Sequence, residues 1–355
     1  MSFNRGADLD NGVLARAQGC LLGQFVGDAL GSMVEFTSAD VIRARYPAGL
    51  RVIGPSTVHH TIGGQVTDDS EMALALARSL VARGAFDDED VAHAYADWRD
   101  SDPFDVGGTI GQATSVMGAA RSRGAALAKA GRAAANRSSE ANGALMRQSP
   151  LAIWGVRLDP DALAAFVRAD TTLTHPNQVC QDASTAFIVA LAATIREGLD
   201  GAAAYERALG WDGRHGASPS VTAALQAAVS TRPPYEINGG HVLHALQNAY
   251  YQALHASSFE AGIIDTVMHG GDPDTNGAIA GALLGAIHTV EAIPEQWRTA
   301  VLECRPVQGA SGVRRPRPEI YWPRDALQLV EQLLRAGTPL SAGHPDQDHG
   351  PRPAR

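Results

Sequence analysis

Two acidic clusters, Thr67-Asp68-Asp69-Ser70 and Asp272-Pro273-Asp274-Thr275, lie far apart in the chain, and each stands directly before a run of small and apolar residues that reads as a helix. An aspartate at a helix start is ordinary capping, because its oxygens accept unpaired backbone N–H groups and its charge suits the helix dipole. Adjacent carboxylates are a different matter, since they repel one another unless a cation neutralises them. Two such pairs point to a fold whose helices bring both clusters to one place. Four carboxylates and two or three hydroxyls would then form a hard-oxygen ligand set, suited to Mg²⁺ or Mn²⁺ rather than zinc.

The rest of the sequence supplies the helices. Leu14, Ala17, Leu21, Phe25 and Val26 recur at three- and four-residue spacings over 13–30, and Gly27-Asp28-Ala29-Leu30-Gly31 is expected to break that helix toward a loop holding Glu35. Met72 to Val81 continues the helix opened by the first cluster. Further helices are predicted over 183–196, 241–255, 259–268, 277–290 and 324–335. The only strand signal is a short extended piece at Leu50 to Ile53, so the chain reads as all-α with ten or more helices. Residues 119–143 should combine a helix with a loop, and 305–323 are rich in Pro, Gly and Arg. We expect a flexible N-terminus over 1–12, a single domain over 13–336 and a disordered tail over 337–355.

Composition narrows the function. The chain is 45% hydrophobic with only 6% aromatics, and abundant small side chains favour close helix packing. A net charge of −9 argues against a nucleic-acid backbone as partner, which wants a basic face, and suits cation binding. Cys20, Cys180 and Cys304 are scattered and form neither a disulfide framework nor a thiolate zinc site, so a reducing compartment is expected. There is no signal-peptide pattern and no uninterrupted apolar run of about 18 residues. These features read as a cytoplasmic protein without a membrane partner. Arg314-Arg315-Pro316-Arg317 reads as a solvated loop, His59 and His60 as surface residues, and Trp98, Trp154 and Trp297 as core, or in one case as a wall for adenine stacking.

Rival metal-dependent classes fit poorly. A terpenoid synthase also pairs aspartate-rich helices, but its carbocation wants an aromatic-lined pocket, and Glu71 and Met72 stand where its motif continues. A His-Asp phosphohydrolase needs a His-Asp dipeptide, and none of the 12 histidines is followed by aspartate.

The chain resembles the ADP-ribosylglycohydrolases, over roughly residues 13 to 335. The likeness rests on six pieces in order: Gly19-Cys20-Leu21-Leu22-Gly23 with Gly27-Asp28-Ala29-Leu30-Gly31, Glu35-Phe36, Thr67-Asp68-Asp69-Ser70, Asn142-Gly143-Ala144-Leu145-Met146-Arg147, Thr174-His175-Pro176, and Gly270-Gly271-Asp272-Pro273-Asp274-Thr275-Asn276-Gly277. The resemblance implies a compact orthogonal multi-helix bundle with a central binuclear metal cleft. It implies that Thr67, Asp68, Asp69, Asp272, Asp274 and Thr275 hold two Mg²⁺ or Mn²⁺ ions, with Asp69 or Glu35 as the catalytic base. It places Gly107, Gly108, Ser139, Asn142, Gly143 and His175 against ADP-ribose, where Gly-rich loops before helices offer backbone donors to a pyrophosphate. Ser70 stands where threonine is usual, and Pro273 replaces a small hydroxyl residue; both departures leave the carboxylates intact.

By the same resemblance the expected reaction is hydrolysis of the glycosidic bond joining ADP-ribose to an acceptor, arginine by default, on a modified protein or a small ADP-ribose conjugate. A serine, nucleic-acid or O-acyl linkage, or a non-catalytic ADP-ribose-binding or structural role, remains open at this stage. A monomer is expected.

Overall fold

The computed structural model describes residues 10–235 and 237–337. The expected C-terminal tail from 338 onward, and residues 1–9 of the expected flexible N-terminus, lie outside the described residues. Within them the chain is an all-α bundle of sixteen α-helices. In chain order these are α1 Asn11–Gly31, α2 Ala39–Arg45, α3 Asp68–Arg83, α4 Asp88–Asp100, α5 Gly108–Arg121, α6 Leu127–Ala134, α7 Ser149–Trp154 and α8 Pro160–Thr171. There follow α9 Gln178–Glu197, α10 Gly201–His215, α11 Pro219–Ala228, α12 Val242–His255, α13 Phe259–Val267, α14 Pro273–His288, α15 Glu295–Leu302 and α16 Ala326–Ala336.

Local chemistry sets the ends of these helices. Asp10 opens α1 by accepting from the Val13 amide at 2.8 Å, and Asn177 opens α9 by accepting from Val179 at 2.9 Å. Gly84 and Gly198 close α3 and α9 in the left-handed conformation that favours glycine. Pro273, at the first position of α14, lacks only an N–H that has no helical partner there.

The central feature is the antiparallel pairing of α1 with α14. A Cβ placed on Gly19, Gly23 or Gly27 would lie 2.1, 2.2 or 2.0 Å from the carbonyl oxygens of Gly285, Gly281 and Gly277 respectively. One turn further, a Cβ on Gly31 would meet the Pro273 oxygen at 2.3 Å. Glycines spaced by four thus put two backbones in direct contact, closer than any side chain permits. This packing also corrects the expected break at Gly27: α1 runs on through Asp28 to Gly31, because those glycines are contact points rather than helix terminators.

Leu50 to Ile53 form no strand, and among the described residues only isolated bridges occur, such as Ser56 with Thr61. The backbone of this segment is satisfied by side chains of α15 instead. Gln296 bonds both the N–H and the C=O of Ile53, each at 3.0 Å, and the Trp297 indole donates to Arg51 O at 2.7 Å. Trp98 and Trp297 are fully buried and Trp154 nearly so; none of them reaches the cleft described below. Helix α9 is long and apolar enough to cross a membrane by length and composition, but 83% of its most apolar window is buried inside the bundle.

Candidate metal centre and substrate cleft

Helix α1 positions the first acidic cluster. Asp28, fully buried in its last turns, accepts from the Thr67 amide (3.1 Å) and hydroxyl (3.0 Å) and from the Ser70 amide (3.2 Å) and hydroxyl (2.5 Å). It thereby caps α3 from another helix, while the Thr67 hydroxyl, at the N-cap position, lies 3.0 Å from both Asp28 Oδ1 and Asp69 Oδ2 and shares its one proton between them. Asp68 and Asp69 then project from the first turn of α3, and Asp68 Oδ2 accepts the Gly107 amide at 3.3 Å.

The second cluster arrives through the start of α14, where Gly270 and Gly271 both adopt positive φ. A Cβ on Gly271 would lie 1.9 Å from Tyr235 O, so only glycine fits this entry. Asp272 Oδ2 accepts from Asn142 Nδ2 at 2.8 Å. The two clusters meet directly: the Thr275 hydroxyl lies 3.4 Å from Asp69 Oδ2, across a separation of 206 residues. Asp68, Asp69, Asp274 and Thr275 are buried and Asp272 is half-buried.

These groups form one end of a cleft of about 400 Å³. Glu35, Phe36, Asp68, Asp105, Asp272 and Asp274 line that end, and Gly107, Gly108, Asn142, Gly143 and His175 line the rest. Of the residues singled out from the sequence, Ser139 stands behind the cleft wall, its hydroxyl paired with that of Thr109 at 2.9 Å. Thr67 and Asp69 lie under the floor, next to Asp28 and Thr275.

The electrostatics follow from burial. Loss of water, followed by mutual repulsion, raises Asp68, Asp69 and Asp274 well above the usual carboxylate range. Burial also pushes Asp105 up to about 6 and Asp28, despite its four hydrogen bonds, to about 7. Asp69 Oδ1 and Asp274 Oδ1 are buried without a hydrogen-bond partner. Such orphaned acceptors in an all-oxygen pocket match the donor set of a hard divalent cation, so the residues present fit a metal.

His59 corrects the expectation of a surface residue. Only His60 is exposed; His59 is buried, with Nε2 2.5 Å from Glu35 Oε2 and 4.0 Å from Asp105 Oδ2. The His59 ring stands between Phe36 and Phe104, with centroids 6.2 and 5.6 Å away. Ligand atoms of Glu35, His59, Asp105 and Asp274 all lie within 4.8 Å of one another, a second grouping able to hold a cation. Burial alone would lower the imidazole, but the hydrogen bond and charge of Glu35, with Asp105 and Asp28 behind, hold it above its ordinary value. A protonated imidazole is a poor ligand and a good countercharge for Glu35.

The far end of the cleft rests on a buried ion pair. Arg147 bonds Asp170 (3.2 Å), Gly143 O (3.2 Å) and the Thr174 hydroxyl (2.9 Å). The Thr174 hydroxyl also pairs with His175 Nδ1 at 2.8 Å. Burial and then the Arg147 charge push His175 down to about 3, so it is neutral, and its buried Nε2 has no hydrogen-bond partner on the protein.

The Arg-rich loop is also not what its composition suggests. Arg317 is buried and grips Glu71 through two bonds of 2.7 and 2.8 Å, with further bonds to Ser101 O and Oγ. Trp98 Nε1 completes Glu71 at 2.8 Å. One arginine of three in a Pro-containing loop gives no sequence sign of a partner 246 residues away.

Fold and cleft together define an all-α protein built around an acidic, cation-seeking centre shared by two helix starts. A family model described as ADP-ribosylglycohydrolase matches residues 9–338, and the chain belongs to this family. It is 31% identical over 282 residues to the ADP-ribosyl-[dinitrogen reductase] glycohydrolase of Rhodospirillum rubrum, covering 79% of this chain and 88% of that protein. It is 28% identical to the ADP-ribosylarginine hydrolase Tri1 of Pseudomonas putida (80% and 73% covered) and 26% identical to human ADP-ribosylhydrolase ARH3 (80% and 88% covered). A solved structure titled ADP-ribosylglycohydrolase-related protein complex superposes with a TM-score of 0.73 at 25% identity, covering 93% of this chain and all of that one. Family membership supports hydrolysis of an ADP-ribosyl linkage.

Proposed function

We propose that this chain hydrolyses the glycosidic bond between ADP-ribose and an acceptor side chain, with arginine as the acceptor, and so reverses ADP-ribosylation of proteins or small conjugates. The observation that carries this reading is the meeting of Asp69 with Thr275, which joins two remote acidic helix starts at a cleft of about 400 Å³. Thr67, Asp68, Asp69, Asp272, Asp274 and Thr275 would hold two Mg²⁺ or Mn²⁺ ions. When bound, such ions supply positive charge that neutralises the carboxylates and draws electron density from sugar hydroxyls and water.

The remaining chemistry belongs to the chain. The Gly108 amide and the His175 ring face the pyrophosphate, with Gly107 lining the cleft beside them, and Gly143 leaves room for it: a Cβ there would lie 3.3 Å from His175 Nε2. The carboxylates at the acidic end stabilise the oxocarbenium character that develops at the anomeric carbon as its bond to the acceptor breaks. Asp69 or Glu35 takes the proton of the attacking water. His59, with Nε2 2.5 Å from Glu35 Oε2, fixes the Glu35 carboxylate in place for that role. Monomeric action in a reducing cytoplasm suits the three buried free thiols.

Incubating the chain with proteins modified separately at arginine and at serine, with and without Mg²⁺, tests this reading through released ADP-ribose. Release from the arginine conjugate that needs the cation is expected. Retention of ADP-ribose on every substrate would leave the non-catalytic binding role instead.

A further inference from the structure

Beside the acidic cleft lies a second groove of about 560 Å³ with the opposite charge. It is lined by Ser101 to Phe104 on one side and by Gln308 and Arg314 to Pro318 on the other. Phe104 lines this groove and Asp105, the next residue, lines the acidic cleft, so one short segment forms the rim between them. Arg314 and Arg315 are exposed, and among the described residues neither forms an ion pair. Arg317 is already neutralised by Glu71, and among the described residues Asp102 is the one carboxylate lining the groove.

The basic loop is held in place. Gln65 Nε2 donates to Arg315 O at 2.7 Å, Arg315 Nε donates to His59 O at 3.2 Å, and Trp322 Nε1 donates to Arg317 O at 2.9 Å. Two guanidinium groups without a carboxylate partner are therefore presented on a pinned backbone, Arg315 held against the His59 carbonyl, across a groove whose Phe104 is one residue from the acidic cleft, on a protein whose net charge is −9. Such an arrangement favours carboxylates, which arginine binds in bidentate fashion, over a phosphate backbone, which needs a longer run of cations. Pro103, Phe104, Pro316 and Pro318 give the groove stiff apolar walls suited to an extended peptide.

We propose that this groove is the acceptor-side subsite of the cleft, and that it binds an acidic segment of the modified polypeptide beside its ADP-ribosylated residue; the assignment rests on the hydrolase reading above. The acidic cleft repels such a segment and the groove attracts it, so the pair fixes which way an acceptor chain leaves the site.

The direct test is fluorescence anisotropy of a labelled Glu-Gly repeat peptide with the full chain at low salt. Binding is expected to weaken about tenfold in Arg314→Glu/Arg315→Glu and with rising salt, and to persist in Arg315→Lys, which keeps the charge without the Nε bond to His59. No binding to the unaltered chain, equal binding to the double variant, or tighter binding of a single-stranded RNA oligonucleotide overturns the proposal. In turnover, kcat/KM for an ADP-ribosylated peptide with acidic flanks should fall about tenfold in the double variant while a neutral-flanked peptide is unchanged. Equal losses on both peptides also overturn it. Failure of the unaltered chain to release ADP-ribose from any conjugate sinks the hydrolase reading, and the anisotropy result still decides the groove.

Discussion

The two acidic helix starts look alike in sequence and are built differently. The start of α3 is enclosed: Asp28 satisfies Thr67 and Ser70 with four hydrogen bonds, and Asp69 is cut off from solvent beneath them. The start of α14 is open: Asp272 is half-buried at the rim, tied by Asn142 and approached through two left-handed glycines. Asp69 belongs to a closed floor and Asp272 to an accessible rim, with the buried Asp68 and Asp274 lining the cleft between them. Both are referred to α1, because Asp28 sets the first and Gly27 and Gly31 touch the second. The pairing of the clusters is therefore decided by one helix turn that carries none of the proposed ligands.

The sharpest way to break this comparison is to remove one carboxylate from each side. Asp69→Asn and Asp272→Asn are each expected to lower ADP-ribose release by about 10³-fold or more and to weaken Mn²⁺ uptake in equilibrium dialysis. Full activity of Asp272→Asn at low Mg²⁺ would refute the shared ligand set. Next comes the seam itself. Gly23→Val forces Cβ into the Gly281 carbonyl and should cost about 3 kcal/mol or more, read as a fall in Tm; an unchanged Tm would show that the two backbones can separate freely.

Asp28 separates capping from charge. Asp28→Ala strands the Thr67 and Ser70 amides and should cost about 2 to 3 kcal/mol in urea unfolding, with activity falling alongside. Asp28→Asn, which keeps an acceptor, should cost roughly half as much, and equal effects of the two would argue against the capping role. At the far end, His175 stays neutral in the fold down to about 3 while the unfolded chain takes up a proton near 6.5. The unfolded state binds more protons in that window, so His175 removes stability as pH falls, by about 1.4 kcal/mol per pH unit. The difference in unfolding free energy between the unaltered chain and His175→Gln should narrow with that slope below pH 6.5.

The smallest effect is expected away from the cleft. Hydrogen bonds from Arg207 and then Arg196 pull Glu197 down to about 2. Its contribution is fully present above about 4.5 and is lost as pH falls toward about 2. Because the pair is about one third exposed, Glu197→Gln should cost under about 1 kcal/mol at neutral pH, with no effect on turnover. A larger loss, or a change in turnover, would show that the outer face is not independent of the centre.

Much of this was legible in the residues, because periodicity and helix-start chemistry are local. The helices over 183–196, 241–255 and 259–268 appear as α9, α12 and α13, with ends shifted by capping residues. The acidic starts were legible for the same reason. Asp28 was visible as a lone charge in a small-residue helix, but its task depends on a partner 39 residues away. His59 and Arg317 gave no local sign at all, since each is buried by a distant carboxylate, Glu35 and Glu71 respectively. The extended piece at Leu50 to Ile53 misled because side chains of α15 satisfy its backbone as a neighbouring strand would.

The glycine seam carries a consequence for how such a protein can diversify. Where two main chains already touch, their spacing is at its steric minimum, so no substitution on either helix can narrow the gap between the acidic clusters and every larger residue widens it. The spacing of the acidic helix starts is in that sense inherited from the peptide unit itself and is closed to gradual adjustment. New acceptor preferences have to arise at the cleft edge, where exposed side chains such as Arg314 stand away from the seam.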